Sequence, residues 1–229
     1  MHPTSIQVTE GSVDFTIPSI STTCNTWYKI VGSLSSGIRP LVVVHGGPGL
    51  SHDYMLPLSD LATLYSIPVI FYDQIGNGLS THLPDKKGDD SFWTLSLFIH
   101  ELDNLISALG ITSYDLCGQS WGGVISSVFA ARKPSPKGLT KLVLSNTPAS
   151  AEGWTNAYRR YMEELPNEAR EALYKPDTPE RAEAMSTFTR RHVCTVHPMP
   201  EELVASFAWI EKDDTVFLTM LPFPPPCFP

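Results

Sequence analysis

The heptapeptide CGQSWGG places Ser120 midway between two glycines, Gly118 and Gly122. It follows a strand-like run and leads into a helix-like run that begins near Trp121. A serine at a sharp strand-to-helix turn exposes its hydroxyl at the carboxyl edge of a sheet, and nearby glycines relieve crowding of the backbone. The N-terminus of the helix favours negative charge beside this hydroxyl. The spacing therefore predicts that Ser120 is the nucleophile of an acyl-transfer reaction.

A second glycine-rich segment, His45-Gly46-Gly47-Pro48-Gly49, follows four aliphatic residues. Acyl transfer requires N–H donors directed at the carbonyl oxygen that becomes negatively charged. We expect one donor from the residue after the serine, Trp121, and the other from a glycine loop that follows an earlier strand. Gly47 is the predicted second donor, Gly46 is the alternative, and His45 is predicted to organise the loop. The predicted site-forming loops comprise His45, Gly46, Pro48, Gly49, Gly118 and Gly122.

A third segment, Asp73–Ser80 of sequence DQIGNGLS, contains one Gly-x-Gly. It is a weak candidate for a phosphate site, because the chain has no GxxxxGK[ST] motif and the carboxylate of Asp73 repels phosphate. We interpret it as structural, with Asp73 and Ser80 fixing a long turn beside the site.

Short aliphatic runs alternate with amphipathic stretches through residues 1–148. The helical stretch Trp93–Leu109 carries apolar residues at spacings of three and four, as a core-facing helix does. Continuous aliphatic runs are typical of parallel strands buried on both faces. Strands are predicted at Leu41–Val44, Ile67–Tyr72, Ser113–Cys117 and Leu139–Ser145, with an opening hairpin formed by Gln7–Ile17 and Thr26–Gly32. The alternation predicts an α/β domain with a mainly parallel sheet.

The composition changes after Pro148. Residues 149–220 hold more than half of the charged side chains and read as a helical cap on the α/β core. Helices are predicted around Asn156–Glu164, Pro166–Tyr174, Pro179–Val193 and Pro200–Glu211. Residues 221–229, of sequence LPFPPPCFP, are predicted to be extended or disordered, because proline neither donates to a strand nor continues a helix.

Composition limits the classes of function that this chain can have. The net charge of −8 argues against a nucleic-acid surface. No apolar run is long enough to span a membrane, and residues 1–15 do not resemble a secretory signal, so we expect a cytoplasmic protein. The four cysteines, Cys24, Cys117, Cys194 and Cys227, are widely spaced and predict reduced thiols without a metal site. Serine acyl transfer needs no cofactor, and none is predicted.

Three motifs taken together, HGGPG, DQIGNGLS and GQSWGG, resemble in order and spacing the proline iminopeptidase family of α/β-hydrolases. Segments resembling the family's cap are Arg190–Cys194, Pro200–Leu203 and Asp213–Met220. The resemblance implies an α/β-hydrolase fold with a helical cap. It also implies a serine aminopeptidase that releases an N-terminal residue, often proline, from short peptides or amino-acid amides.

The chain departs from the family pattern after Met220. There the family carries an Asn-Gly-Pro-x-Glu-Phe segment whose glutamate holds the substrate amine, and further on the last strands and the triad aspartate and histidine. None of these maps onto this sequence, so we predict a core that lacks the last strands and leaves Leu139–Ser145 as an exposed edge. We expect His192 to take part in cap packing and His197 to lie on the surface, so that neither serves as the base.

Two alternatives remain open at this point. A non-catalytic truncated form, which would act as a pseudoenzyme or regulatory partner, is suggested by the missing triad partners. An esterase-type hydrolase would use the same serine turn. The sequence does not indicate an oligomeric state.

Overall fold

Six β-strands form one sheet in the computed structural model, which describes residues 6–175 and 178–221. The strands are β1 (Val8–Phe15), β2 (Cys24–Val31), β3 (Leu41–Val44), β4 (Val69–Tyr72), β5 (Tyr114–Gln119) and β6 (Leu139–Ser145). Their order across the sheet is β1-β2-β4-β3-β5-β6. Apart from Leu221, the proline-rich segment with Cys227 lies outside the described residues.

The pairing of the strands confirms the predicted hairpin and the mainly parallel sheet. β1 and β2 are antiparallel, with Val8 opposite Val31 and Phe15 opposite Cys24. β2 is antiparallel to β4, whereas β4, β3, β5 and β6 run parallel as neighbours. Each of the four predicted aliphatic runs forms a strand with bounds close to those predicted.

β3 shows why an uninterrupted aliphatic run was needed. Successive side chains of a strand point to opposite faces of the sheet. Val42 and Val44 belong to a large apolar cluster on one face, and Leu41 and Val43 belong to a second cluster on the other. Because both faces are covered, a polar residue at any of these positions would be buried.

Eight α-helices occur within the described ranges. They are α1 (Asp60–Tyr65), α2 (Leu95–Ala108), α3 (Trp121–Ala131), α4 (Ala151–Glu163), α5 (Asn167–Leu173), α6 (Pro179–Phe188), α7 (Glu201–Lys212) and α8 (Thr215–Met220). None of the helices in this part of the chain combines the length and the apolar character that crossing a bilayer requires.

α2 confirms the helix predicted over Trp93–Leu109. Thr94 caps its N-terminus, because the side-chain oxygen accepts a hydrogen bond from the N–H of Leu97. The predicted apolar stripe is buried against the sheet, with Phe98, Leu102 and Leu105 fully inaccessible. Burial of each such side chain contributes about 1.5–3 kcal/mol, so this face anchors α2 to the core.

The regular elements in the described part of residues 151–220, called the cap below, are all helices. α4, α5 and α6 pack around a separate apolar cluster that includes Met162, Leu173 and Phe188. α6 ends five residues before the predicted end, at Phe188, and the chain continues to Val193 as a π-helical turn. α1 and α8 were not predicted, because six-residue helices are too short to show a clear apolar period.

Polar side chains join the cap to the core along α7 and α8. The Ser51 N–H donates to the hydroxyl of Ser206 (3.0 Å), and the Trp209 indole donates to Asp53 (3.2 Å). His82 contacts Asp213 at 2.6 Å between Nδ1 and Oδ2. Apolar packing adds to these contacts where Val216 of α8 enters the large cluster.

β6 is the last strand of the described sheet and pairs only with β5. Leu142, Val143 and Leu144 are 37%, 50% and 47% exposed, so both faces of this strand are accessible. The predicted exposed edge at Leu139–Ser145 is confirmed.

Candidate active site

Ser120 is the single residue between β5 and α3, and its backbone angles are φ 51° and ψ −116°. Only glycine adopts a positive φ without a steric cost, so a serine here stores about 1–3 kcal/mol of strain. The surrounding backbone holds the turn. The Ser120 N–H donates to the carbonyl of Ser145 (2.8 Å), and the Ser120 carbonyl accepts from the N–H groups of Gly123 (3.0 Å) and Val124 (3.2 Å).

The glycines on either side of Ser120 allow the close approach of strand and helix. A Cβ at Gly118 would contact the carbonyl of Gly122 and would lie 2.5 Å from the hydroxyl of Ser126. A Cβ at Gly122 would contact the carbonyl of Val44 and would lie 2.5 Å from that of His45. The start of α3 therefore rests directly on the end of β3, where the HGGPG loop begins.

The HGGPG loop lies beside the serine turn. A Cβ at Gly46 would lie 3.0 Å from the carbonyl of Gln119, and Gly47 lines the same cavity as Ser120. The Gly47–Pro48 peptide bond is cis, and Gly49 packs so closely on α8 that a Cβ would lie 2.5 Å from that of Phe217. The loop thus connects the serine turn with the cap.

The two predicted oxyanion donors are not engaged by other groups of the described residues. The backbone N–H groups of Gly47 and Trp121 have no hydrogen-bond acceptor within the described residues. By contrast, the Gly46 N–H donates to the hydroxyl of Tyr54 at 2.5 Å. This bond argues against Gly46, the alternative donor, and leaves Gly47 as the candidate.

His45 is enclosed by backbone groups. Its Nε2 accepts from the N–H of Gln74 (3.0 Å), so the proton lies on Nδ1, which donates to the carbonyl of Gly46 (2.9 Å). Burial lowers the pKa of His45, which keeps the ring neutral. Both nitrogens are therefore used in holding the loop.

Asp73 and Ser80 fix the turn that follows β4, as predicted. Asp73 accepts hydrogen bonds from the N–H groups of His52 (2.7 Å) and Leu79 (2.9 Å), and the Ser80 hydroxyl donates to the carbonyl of Asp73 (2.5 Å). Burial acts to raise the pKa of Asp73, but the hydrogen bonds from the His52 ring (2.9 Å) and from the Leu79 N–H help to outweigh burial and lower the pKa. The carboxylate is therefore an ionised anchor of the turn.

Tyr54 and Gln74 contribute to the site and were not found from the sequence. The Tyr54 hydroxyl accepts from Gly46 and donates to the side-chain oxygen of Gln119 (2.6 Å), while burial raises the pKa of Tyr54 and keeps it protonated. The Gln74 side chain contacts both His45 and Trp121. Neither residue belongs to a periodic pattern, although the position of Gln74 within the DQIGNGLS motif was a usable signal.

Ser120 opens into a cavity of about 530 Å³ between the core and the cap. This volume is within the range of small-molecule sites. The walls carry aromatic side chains from four cap helices, namely Trp154, Tyr158, Phe188, Phe207 and Phe217. No charged side chain and no histidine of residues 6–175 and 178–221 lines this cavity.

His192 and His197 lie where they were predicted. His192 packs between the rings of Tyr161 and Phe188, at centroid distances of 4.7 and 5.1 Å, and His197 is exposed. Across the described ranges, no cluster of three or more side chains suited to metal binding occurs.

Glu101 is a fully buried carboxyl beneath the site. It accepts from the hydroxyl of Thr26 (2.6 Å) and from the N–H of Ile75 (2.8 and 3.0 Å to its two oxygens). Burial raises the pKa of Glu101 to about 8, because these hydrogen bonds only partly compensate for desolvation. The folded chain therefore holds a proton here at a pH where an unfolded glutamate has lost it.

We expect this proton to make the free energy of unfolding fall as pH rises from about 4.5 to about 8. Over that window the folded state binds more protons than the unfolded state, so stability declines, by a few kcal/mol in order of magnitude. Urea unfolding at pH 6 and pH 9 measures the decline. Glu101→Gln should flatten it, whereas replacing the exposed Glu211 with glutamine should not. An equal decline in Glu101→Gln would contradict the assignment.

A strand–serine–helix turn of this shape in a mostly parallel sheet defines an α/β-hydrolase. The sequence profile of the alpha/beta hydrolase fold matches residues 39–203. The crystal structure of VinJ is similar over 91% of the chain, with 44% identity and a TM-score of 0.81, and that of the proline iminopeptidase of Mycobacterium smegmatis over 92%, with 38% identity and a TM-score of 0.75. The chain belongs to the proline iminopeptidase family.

The relatives are longer than this chain. The proline iminopeptidase of Lactobacillus delbrueckii subsp. lactis is 34% identical over 186 residues, and the aligned part spans 78% of this chain but 62% of that protein. The match to each of the two crystal structures spans 70% of the solved chain.

Proposed function

We propose that this chain carries the acylation site of a serine hydrolase of the proline iminopeptidase type. It would release an N-terminal residue, often proline, from a short peptide or an amino-acid amide. The observation that supports this proposal best is Ser120, held at φ 51° at the floor of a cavity that it shares with Gly47. Strain of this kind persists only where the surrounding structure imposes it.

In the proposed reaction the Ser120 hydroxyl attacks the substrate carbonyl carbon. The electron pair of the C=O bond moves to oxygen, which accepts from the N–H groups of Gly47 and Trp121. The amine then leaves with a proton, and water hydrolyses the acyl-enzyme to return free Ser120. The apolar cavity would hold the released residue.

The proton of the Ser120 hydroxyl needs an acceptor. No histidine or carboxylate of the described residues lines the cavity, and serine is a weak nucleophile without an adjacent base. We therefore propose slow acylation by these residues alone, with binding and the two N–H donors supplying the remaining catalysis. This feature also supports the second candidate, a non-catalytic form that binds the same ligands.

The uncharged cavity also supports an esterase-type reaction, because no described carboxylate faces a substrate amine there. A cytoplasmic location is proposed on the free thiols of Cys24, Cys117 and Cys194, which fit a reducing compartment.

Mass spectrometry of the purified chain after incubation with prolyl 4-nitroanilide and prolyl 4-nitrophenyl ester tests the proposal. We expect a prolyl adduct on Ser120 with the ester, which has the better leaving group, and slower release of 4-nitroaniline from the amide. N-acetylprolyl ester serves as the control for amine recognition. Equal acylation by both esters would favour the esterase reading. Absence of any adduct on Ser120 would favour the non-catalytic form.

A further inference from the structure

Gln74 is a fully buried amide that the reaction described above does not use. It follows β4 and contacts two other segments. Its side-chain Nε2 donates to the carbonyl of His45 (2.7 Å), and its Oε1 accepts from the indole Nε1 of Trp121 (3.1 Å). Its backbone N–H also donates to the ring of His45 (3.0 Å). One side chain thus ties the beginning of the HGGPG loop to the beginning of α3.

These two segments carry the two candidate oxyanion donors. Gly47 lies two residues after His45, and the second donor is the backbone N–H of Trp121 itself. The amide of glutamine is planar, and its two ends are a fixed distance apart. A bridge of this kind therefore restricts how far the two N–H groups can move relative to each other.

The turn around Gln74 is held independently of both segments. The carboxyl of Glu101 accepts from the N–H of Ile75, and the Gln74 carbonyl accepts from the N–H of Asn77 (2.9 Å). The Trp121 ring is fixed as well, because it packs edge-on against Phe98 with centroids 5.7 Å apart. Both ends of the bridge thus rest on rigid supports.

We propose that Gln74 is a positioning residue that sets the separation of the N–H groups of Gly47 and Trp121. The proposal rests on the proposed function, since it assigns these two groups to the oxyanion. Its chemical consequence is specific: removal of the bridge slows only reactions in which charge develops on a carbonyl oxygen. A residue that merely fills space would affect all reactions at position 120 alike.

The test uses the Ser120→Cys background, because a thiol is nucleophilic without a neighbouring base. With 4-nitrophenyl acetate, sulfur bonds to the carbonyl carbon, the carbonyl oxygen carries the negative charge, and 4-nitrophenolate then leaves. With iodoacetamide, sulfur bonds to the methylene carbon and iodide leaves, so no oxyanion forms. Peptide mass spectrometry measures the rate of each reaction at position 120 and separates it from the rates at the four native cysteines.

Addition of Gln74→Met is expected to slow acetylation at least tenfold, in line with the roughly 10²-fold cost of a misplaced reacting group. Alkylation should change less than twofold. Gln7→Met, at an exposed glutamine, should leave both rates within twofold. Trp121→Phe removes only the indole end of the bridge. It should slow acetylation less than Gln74→Met does, and again without slowing alkylation. It serves as the second variant if Gln74→Met does not unfold cooperatively.

Equal slowing of both reactions, or no slowing of either, would overturn the proposal. So would acetylation in the Ser120→Cys background that is no faster than that of a free thiol, since the donors would then contribute nothing. The native chain could fail to acylate Ser120 while Gln74→Met still slows acetylation selectively in the Ser120→Cys background. That combination would refute hydrolysis by this chain and retain the positioning role of Gln74.

Discussion

Ser120→Ala is expected to abolish covalent labelling of the chain by a fluorophosphonate probe. The probe phosphorus bonds to the serine oxygen and fluoride leaves, and the phosphoryl oxygen occupies the place of the substrate oxyanion. Ser120 is the only serine that lines the cavity within the described ranges, so no second site should react. Labelling of the native chain should be slow, because a general base contributes about 10²–10⁴-fold and none of the described residues supplies one.

The same position predicts an effect on stability. Alanine at φ 51° bears the same strain as serine. The free energy of unfolding of Ser120→Ala should therefore lie within about 1 kcal/mol of that of the native chain. Ser120→Gly should remove the strain and raise the free energy of unfolding by about 1 kcal/mol, while it also abolishes labelling. Urea titration and intact mass measure the two effects.

Ser96→Ala provides the matched control, because Ser96 is exposed on α2. Its labelling and stability should equal those of the native chain. Persistent labelling in Ser120→Ala would show that another residue reacts with the probe. A lower stability of Ser120→Gly than of Ser120→Ala would show that the turn is not strained.

Gly122→Ala is expected to lower the free energy of unfolding by about 2–3 kcal/mol and to reduce Ser120 labelling at least tenfold. The added methyl group would contact the carbonyl of Val44 and lie 2.5 Å from that of His45. Both neighbours are backbone atoms at the end of β3, so they cannot rotate away as a side chain would. Overpacking of this kind typically costs about 1–3 kcal/mol, and relief requires that α3 and the HGGPG loop separate.

Gly153→Ala distinguishes this effect from the general effect of alanine in a helix. Gly153 lies in the first turn of α4, and a Cβ there would meet only the side-chain oxygen of Ser150 at 2.9 Å. Because alanine is the better helix former by about 1 kcal/mol, this variant should be as stable as the native chain or more so, with unchanged labelling. Equal behaviour of the two variants would contradict the close contact of α3 with β3.

The sequence predicted those features of the fold that depend on local patterns. β3 consists of four consecutive aliphatic residues because both faces of the sheet are covered. The apolar residues of α2 recur with the period of a helix that buries one face. The turn at Ser120 was predictable for a similar reason, since Gly118 is required by its close contacts with Gly122 and Ser126 in the same segment. Such patterns are visible in the sequence because each is repeated or confined to one segment.

The features that were missed depend on contacts between distant segments. Tyr54 reaches Gln119, Gln74 reaches Trp121, and Glu101 reaches Thr26, and each is a single hydrogen-bonded side chain without a repeat. The helical segment predicted over Pro179–Val193 has the observed bounds, but its last turn is a π turn closed by a hydrogen bond from the Cys194 N–H to the Thr189 carbonyl, and composition does not indicate such a turn. Hydrogen bonds of this kind join residues that only the fold brings together, so the sequence alone does not show which residues are paired.

The aromatic wall of the cavity rests partly on helices that have a hydrophobic centre of their own. Trp154 and Tyr158 lie on α4 and Phe188 ends α6, and with α5 these helices enclose Met162 and Leu173. A unit with its own centre can tilt without uncovering the apolar residues of the sheet, so its displacement costs less than global unfolding. We therefore expect the width of the cavity to change if these three helices move as a unit.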